Sequence, residues 1–241
     1  MAVAQKILCR VNRIVDHGEH VYTVDLVPER KVPIFKPGQF LHLALDPYDP
    51  GDFWPESRVF SIASPLQQRN RISITYSVRG RFTARMEREL TEGKTAWIKM
   101  PYGDFIIQTK GDVVLLAGGT GITAFTSFLS DTMIKNLHKF YLAYGVRNAQ
   151  MLIYRNYIDQ CVRNIDHFHL WYFIEEKPKG FSHNGSEIIG RLTINEIWDK
   201  IENPLETTYY LSGPPEMIHT LSRELKEHRI DPCAVRIDAW E

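Results

Sequence analysis

Apolar and polar positions alternate along residues 1–108, so that Tyr22, Val24 and Leu26 share one face, Leu41, Leu43 and Leu45 a second, and Ile72, Ile74, Tyr76 and Val78 a third. A period of two marks strands with one buried side. Turn-forming residues separate the runs at Pro37-Gly38, Pro47, Pro50-Gly51 and Gln67 to Asn70. Short strands punctuated this way predict an antiparallel β-barrel or sandwich. Just after Gly80 the period changes: Phe82, Met86 and Leu90 repeat every fourth residue, which predicts one helix packed across an end of the barrel.

Residues 109–241 follow a different rule. Short, fully apolar runs at Val113 to Ala117, Phe140 to Tyr144, Leu170 to Ile174, Tyr209 to Leu211 and Ala234 to Ile237 predict five strands of a parallel sheet covered on both faces. Helical stripes are expected between them, at Ile122, Phe125, Leu129 and Met133, at Ile194, Ile197, Trp198 and Ile201, and at Met217, Leu221 and Leu225. The expected architecture is therefore two-domain, an antiparallel barrel over 1–108 and a doubly wound α/β domain over 109–241, divided near the polar segment Thr109-Lys110-Gly111-Asp112.

Composition narrows the function classes. The 29 basic and 29 acidic residues of the 241-residue chain leave no net charge and no basic run, which removes the electrostatic footprint of a nucleic-acid binder. No segment approaches the roughly 18 consecutive apolar residues of a membrane helix, and the amino terminus turns charged before reaching signal length, so a cytoplasmic protein is expected. Three scattered cysteines, Cys9, Cys161 and Cys233, fit neither a disulfide framework nor an iron-sulfur cluster. No metal site is expected either: His167 and His169 alternate on one strand face without a third ligand, and His17, His20 and His42 lack a partner pattern.

The first apolar run of the second half leads into Gly118-Gly119-Thr120-Gly121-Ile122-Thr123-Ala124, a G-x-G-x-x-A turn between strand and helix. Glycines there let the backbone approach a pyrophosphate, and the helix start offers free N–H groups. A tight turn without a ligand has the same sequence. The acidic residue that ordinarily binds the ribose at the end of the second strand is missing, since that strand ends Tyr144-Gly145-Val146-Arg147. A second glycine turn, Ser212-Gly213-Pro214-Pro215, ends the fourth strand, and with strand order 3-2-1-4-5 both turns reach the same crevice. In the barrel half, Arg58-Val59-Phe60-Ser61-Ile62-Ala63-Ser64 places an arginine, an aromatic and a hydroxyl along a strand, expected on one face, where they suit a phosphate, a planar ring and a ring heteroatom; a solvated strand face is the plain alternative.

This segment resembles the R-x-[YF]-S-x-x-S flavin motif of the ferredoxin-NADP reductase superfamily, with Phe60 where tyrosine is commoner. Other elements follow in the family's order. Phe35-Lys36-Pro37-Gly38-Gln39-Phe40 is similar to its F-x-P-G-Q-[FY] strand entry, Tyr76-Ser77-Val78-Arg79-Gly80-Arg81-Phe82-Thr83 to the segment whose amides and hydroxyl hold the flavin diphosphate, and Gly119-Thr120-Gly121-Ile122 to the pyridine-nucleotide turn. Tyr144-Gly145-Val146-Arg147 matches Y-G-x-R, and Ser212-Gly213-Pro214-Pro215-Glu216-Met217 resembles C-G-P-P-x-M with serine in place of cysteine. The resemblance implies an FAD barrel followed by an NAD(P)H domain, with hydride passing from the nicotinamide to the flavin. It also implies that Arg58 and the amides near Gly80 bind flavin phosphates, Ser61 bonds the ring, and Ser212 lies by the nicotinamide, where a serine is expected to shift the nicotinamide and slow hydride transfer. Asp238 and Trp240 stand where plant-type relatives carry an acidic residue and a flavin-covering aromatic; Trp240 is then a gate or a packing anchor, and Asp238 a site residue or a solvated end charge.

Glu175 and Glu176, ending the third strand, would repel a 2′-phosphate, which favours NADH over NADPH, with Arg147 and Lys177 as nearby cations. Electrons would pass to a separate acceptor such as a ferredoxin, a flavodoxin or an oxygenase component, because no ferredoxin module is expected within this chain. Two alternatives share the fold: a reductase of free flavin, and a non-catalytic flavin-binding subunit of a larger complex.

Overall fold

Twelve strands, β1 to β12, form two sheets in a computed structural model that describes residues 3–108, 111–130, 139–176 and 187–238. The first sheet contains β1 (Gln5–Asp16), β2 (Val21–Pro28), β3 (Phe40–Ala44), β4 (Ser57–Ser61), β5 (Ile72–Ser77) and β6 (Thr95–Tyr102). Its order is β4-β3-β6-β1-β2-β5, every pairing antiparallel. The two edges approach each other where the Ala63 N–H donates to the Ser73 carbonyl at 2.9 Å, so the sheet is a nearly closed barrel. The alternation read along the chain supplies its interior: Val24, Leu26, Leu41, Leu43, Ile72 and Ile74 are all fully buried.

Helix α1 (Arg81–Glu89) follows β5. Phe82, Met86 and Leu90 lie on one side and join the barrel core, each contributing about 1.5–3 kcal/mol by leaving water. Its start is closed by the Thr83 hydroxyl, which accepts from the Arg79 N–H at 2.9 Å and the Gly80 N–H at 3.1 Å.

The second sheet contains β7 (Val113–Gly118), β8 (Phe140–Val146), β9 (Phe168–Ile174), β10 (Glu187–Ile189), β11 (Thr208–Ser212) and β12 (Val235–Ile237), all parallel, in the order β10-β9-β8-β7-β11-β12. Apart from β10 this is the expected five-stranded order. The extra edge strand escapes pattern reading because its first residue, Glu187, is a buried charge neutralised by Arg155. Helices α2 (Thr123–Leu129), α3 (Arg155–Asn164) and α4 (Pro215–Glu227) belong to this half of the sequence; Met133 lies outside the described residues.

One expected helix is absent. Ile194, Ile197 and Ile201 are buried, but the chain there makes successive turns and a single 3-10 turn at Trp198–Lys200. The Ile194 N–H is taken by the Glu224 carboxylate at 2.6 Å, and Asn203 at φ +54° ends the segment before Pro204. Three- and four-residue spacing buries one face in consecutive turns as readily as in a helix. By packing, the chain divides into two compact units, Met1–Ile106 with Thr123–Asp131, and Ile107–Ile122 with Thr132–Glu241.

Candidate functional site

In the first unit the candidate site lies where edge strand β4 meets the start of α1. Register settles the faces: Phe60 pairs with Leu41 and Arg58 with Leu43, while Ser61 pairs with Phe40. Arg58 and Phe60 therefore share one face and Ser61 takes the other, which corrects the expectation of three groups on one face; residues 58 and 60 are in phase and 61 is not. Phe60 packs at the rim of the core, 6.1 Å from the Tyr76 ring, with Val59 half-buried between its neighbours. Ser61 is 8% exposed, and the buried Ser64 hydroxyl, three residues on, has no hydrogen-bond partner among the described residues.

Arg58 lies over the first turn of α1, its guanidinium carbon 5.4 Å from the Phe82 ring centre. Arg81 projects from the same turn, 89% exposed. Several groups expected to hold a diphosphate are already engaged. Tyr76 is in the core, where burial raises its phenol pKa, and the Val78 N–H donates to the His20 carbonyl at 2.9 Å. The Arg79 and Gly80 amides and the Thr83 hydroxyl are spent on capping. What remains is the set of first-turn amides at Arg81, Phe82 and Thr83, which have no partner within a helix, together with two exposed guanidiniums that share Glu56 as a partner. That donor set fits a phosphate group.

In the second unit the candidate site is backbone. β7 and β11 are neighbours, with Ala117 opposite Ser212, so both glycine turns leave the sheet side by side at its carboxyl end. A Cβ on Gly121 would drive into the Ser212 carbonyl and come within 2.7 Å of the Gly213 nitrogen; one on Gly118 would meet Pro214 at 2.8 Å. These glycines let the two turns pack on each other. Gly119 differs: it sits at φ +53° with nothing among the described residues within 4 Å of where a Cβ would be, at the head of the 3-10 turn Gly119–Ile122 that contains Thr120. A turn open on that side leaves room for a phosphate to approach its backbone. The Ile122 side chain is buried, so its share is confined to backbone.

Beside these turns the Ser212 hydroxyl donates to the Asp238 carboxylate at 2.9 Å, both residues being buried, and the Asp238 N–H donates to the Leu211 carbonyl at 2.8 Å. Asp238 is therefore no solvated end charge. At the ends of β8, β9 and β10, Arg147 pairs with Glu176 at 2.7 Å and Arg191 with Glu175 at 3.2 Å. Arg191 was not anticipated; it becomes visible only once β10 is known to place its end beside that of β9. Trp240 and Lys177 lie outside the described residues. His167 sits in a turn at φ +62° before β9 and does not share a strand face with His169, which stacks on Tyr141 at 4.9 Å.

An antiparallel barrel with two cationic side chains at a helix start, and a parallel sheet with paired glycine turns, define a two-domain α/β class. Comparison with known proteins specifies it. Residues 115–223 match the family described as oxidoreductase NAD-binding domain. The chain is 24% identical over 235 residues to the NAD(P)H-flavin reductase of Vibrio harveyi, covering 92% of this chain and 93% of that protein. It is 24% identical over 219 residues to the 2-halobenzoate 1,2-dioxygenase electron transfer component of Burkholderia cepacia, covering 88% of this chain and 60% of that protein. Among solved structures, the FAD/NAD binding domain of nitric oxide dioxygenase from Vibrio cholerae O1 biovar El Tor superposes with a TM-score of 0.82 at 18% identity, covering 97% and 98% of the two chains. The chain spans 46–60% of the length of several curated relatives it matches. The chain thus carries an oxidoreductase NAD-binding domain over residues 115–223 and is similar in sequence and two-domain fold to ferredoxin reductase-like proteins.

Proposed function

We propose that the protein is an NAD(P)H-dependent flavoprotein reductase that takes hydride from a nicotinamide cofactor onto FAD and passes electrons to a separate acceptor. The observation that carries this reading is the presence on one chain of two groups of donors suited to phosphate and of different build: Arg58, Arg81 and the amides of α1 in one unit, and the open turn at Gly119 in the other. A flavin supplies the capacity to accept two electrons and release them one at a time. The chain's own groups bind and orient: Arg58 and Arg81 neutralise phosphate, Phe60 presents a ring at the rim of the core, and Ser61 offers a hydroxyl on the opposite strand face. Gly213 and Pro214 shape the second turn, and the Ser212–Asp238 pair fixes a hydroxyl beside it. Holding two reactants in contact geometry converts a bimolecular step into an effectively unimolecular one.

NADH is the favoured donor. A 2′-phosphate at the ends of β8 and β9 would meet Glu175 and Glu176, and the cations there, Arg147 and Arg191, are committed to those carboxylates. The acceptor class is a soluble redox protein of the ferredoxin, flavodoxin or oxygenase-component kind, in keeping with relatives described as dioxygenase electron transfer components. A cytoplasmic setting belongs to the same reading; among the described residues no helix is long and apolar enough to cross a membrane. A second reading, reduction of free flavin, is favoured by the exposure of both arginines and by the full-length match to a flavin reductase.

One experiment tests the reductase reading and the choice of nucleotide: an anaerobic absorption spectrum of the purified protein with added FAD, before and after NADH or NADPH. Bleaching of the flavin bands, faster with NADH, is expected. A spectrum that neither nucleotide changes ends the reductase reading; yellow colour surviving desalting selects resident flavin, and its loss with activity kept selects free flavin as substrate.

A further inference from the structure

We infer that Glu56 is an internal rival of the flavin phosphates and determines how tightly the protein holds its flavin. The inference rests on the reading of the β4–α1 site as a flavin site. A single carboxylate oxygen, Glu56 Oε1, lies 3.5 Å from the Arg58 guanidinium and 3.4 Å from that of Arg81. It thus bridges the two cations that the site offers to an anion. Glu56 stands in the bend just before β4, two residues ahead of Arg58, and its carboxylate reaches the Arg58 guanidinium. No acidic residue lies in the first turn of α1.

A phosphate arriving at Arg58 and Arg81 competes with Glu56 for one terminal nitrogen of each guanidinium, and afterwards it lies near a carboxylate of like sign. Both effects subtract from phosphate affinity, and neither touches the isoalloxazine ring. Glu56 therefore discriminates by the phosphate part of the ligand: it lowers affinity for FAD and leaves that for riboflavin alone. All three side chains are substantially exposed, so each ion pair is weak. The result is a graded effect, suited to a flavin that is held and yet exchanges.

The test is equilibrium titration of the flavin-free full chain with FAD and with riboflavin, followed by flavin fluorescence, for the wild type, Glu56→Gln and Arg58→Ala. Glu56→Gln should tighten FAD about three- to tenfold, two exposed ion pairs being removed from competition, and leave riboflavin unchanged. The gain should shrink at high salt, because exposed charges are screened. FAD affinity that is unchanged or weaker in Glu56→Gln, while Arg58→Ala still weakens it, overturns the inference and leaves the flavin site standing. FAD affinity indifferent to Arg58→Ala overturns the flavin site and the inference together. Should Glu56→Gln fold poorly, Glu56→Ala removes the same charge and must give the same shift.

Discussion

At the start of α1 the groups that meet a ligand are the ends of long side chains, Arg58 and Arg81, both more than half exposed. At the ends of β7 and β11 they are backbone atoms held by Gly118, Gly121 and Gly213 against one another and against Met217. The first site adjusts by rotating side chains at little cost, and its electrostatics are set by which carboxylate is nearby. The second has no such freedom, because close-packed backbone transmits any displacement. Substitutions should accordingly be tolerated at the first and felt throughout at the second.

The largest expected effect falls on the rigid site. Gly121→Ala puts a methyl group into the Ser212 carbonyl and should cost about 1–3 kcal/mol of stability as overpacking, with loss of nucleotide affinity as the turn moves. Gly119→Ala, two residues away, meets no atom of the described residues and carries only the left-handed backbone penalty of about 1 kcal/mol. Urea unfolding of the two variants measures the difference. Equal losses would mean that the turns are not packed as described, and the contrast between the sites would dissolve.

Next in size is the Ser212–Asp238 bond. Ser212→Ala leaves a buried carboxylate one donor short, which should cost about 1–3 kcal/mol, whereas Glu56→Gln, on the exposed site, should stay within about 0.5 kcal/mol. Thermal unfolding compares them directly. A Ser212→Ala protein as stable as the wild type would show that the hydroxyl contributes nothing to the fold.

The same contrast governs what could be read from the chain. Strands with one buried face, such as β2, β3 and β5, declare themselves by alternation, and β7 to β9 by unbroken apolar runs. α3 does not, since Ile158 and Cys161 are its only buried residues, and Ile194 to Ile201 imitates a helix because turns can bury the same spacing. The glycine turns were legible as motifs, but the reason for Gly121, close approach to another strand's backbone, appears only with the adjacency of β7 and β11. Likewise Ser212 and Asp238, 26 residues apart, follow from the parallel pairing of Leu211 with Ile237. Glu56 lay within reach of inspection, two positions before an arginine already singled out. Its significance depends on Arg81 converging from α1, which no local pattern states.

The smallest expected effect sharpens the account of the exposed site. Glu87, further along α1, pairs with His20 at 2.7 Å and accepts from the Tyr22 hydroxyl at 2.8 Å. The hydrogen bond to Glu87 raises the His20 pKa above 6.5, and the bonds from His20 and Tyr22 lower that of Glu87 below 4.5. The raised histidine contributes stability fully below pH 6.5, lost as pH rises through its folded value; the lowered carboxylate contributes fully above pH 4.5, lost as pH falls through its own. The two windows overlap between pH 4.5 and 6.5, so the difference in melting temperature between wild type and His20→Gln should be greatest there and fade on both sides. Exposure keeps it small, and added salt should reduce it further. A difference that is flat with pH would mean that the imidazole acts through packing alone, and α1 would then be anchored to the barrel by the same rigid means as the glycine turns.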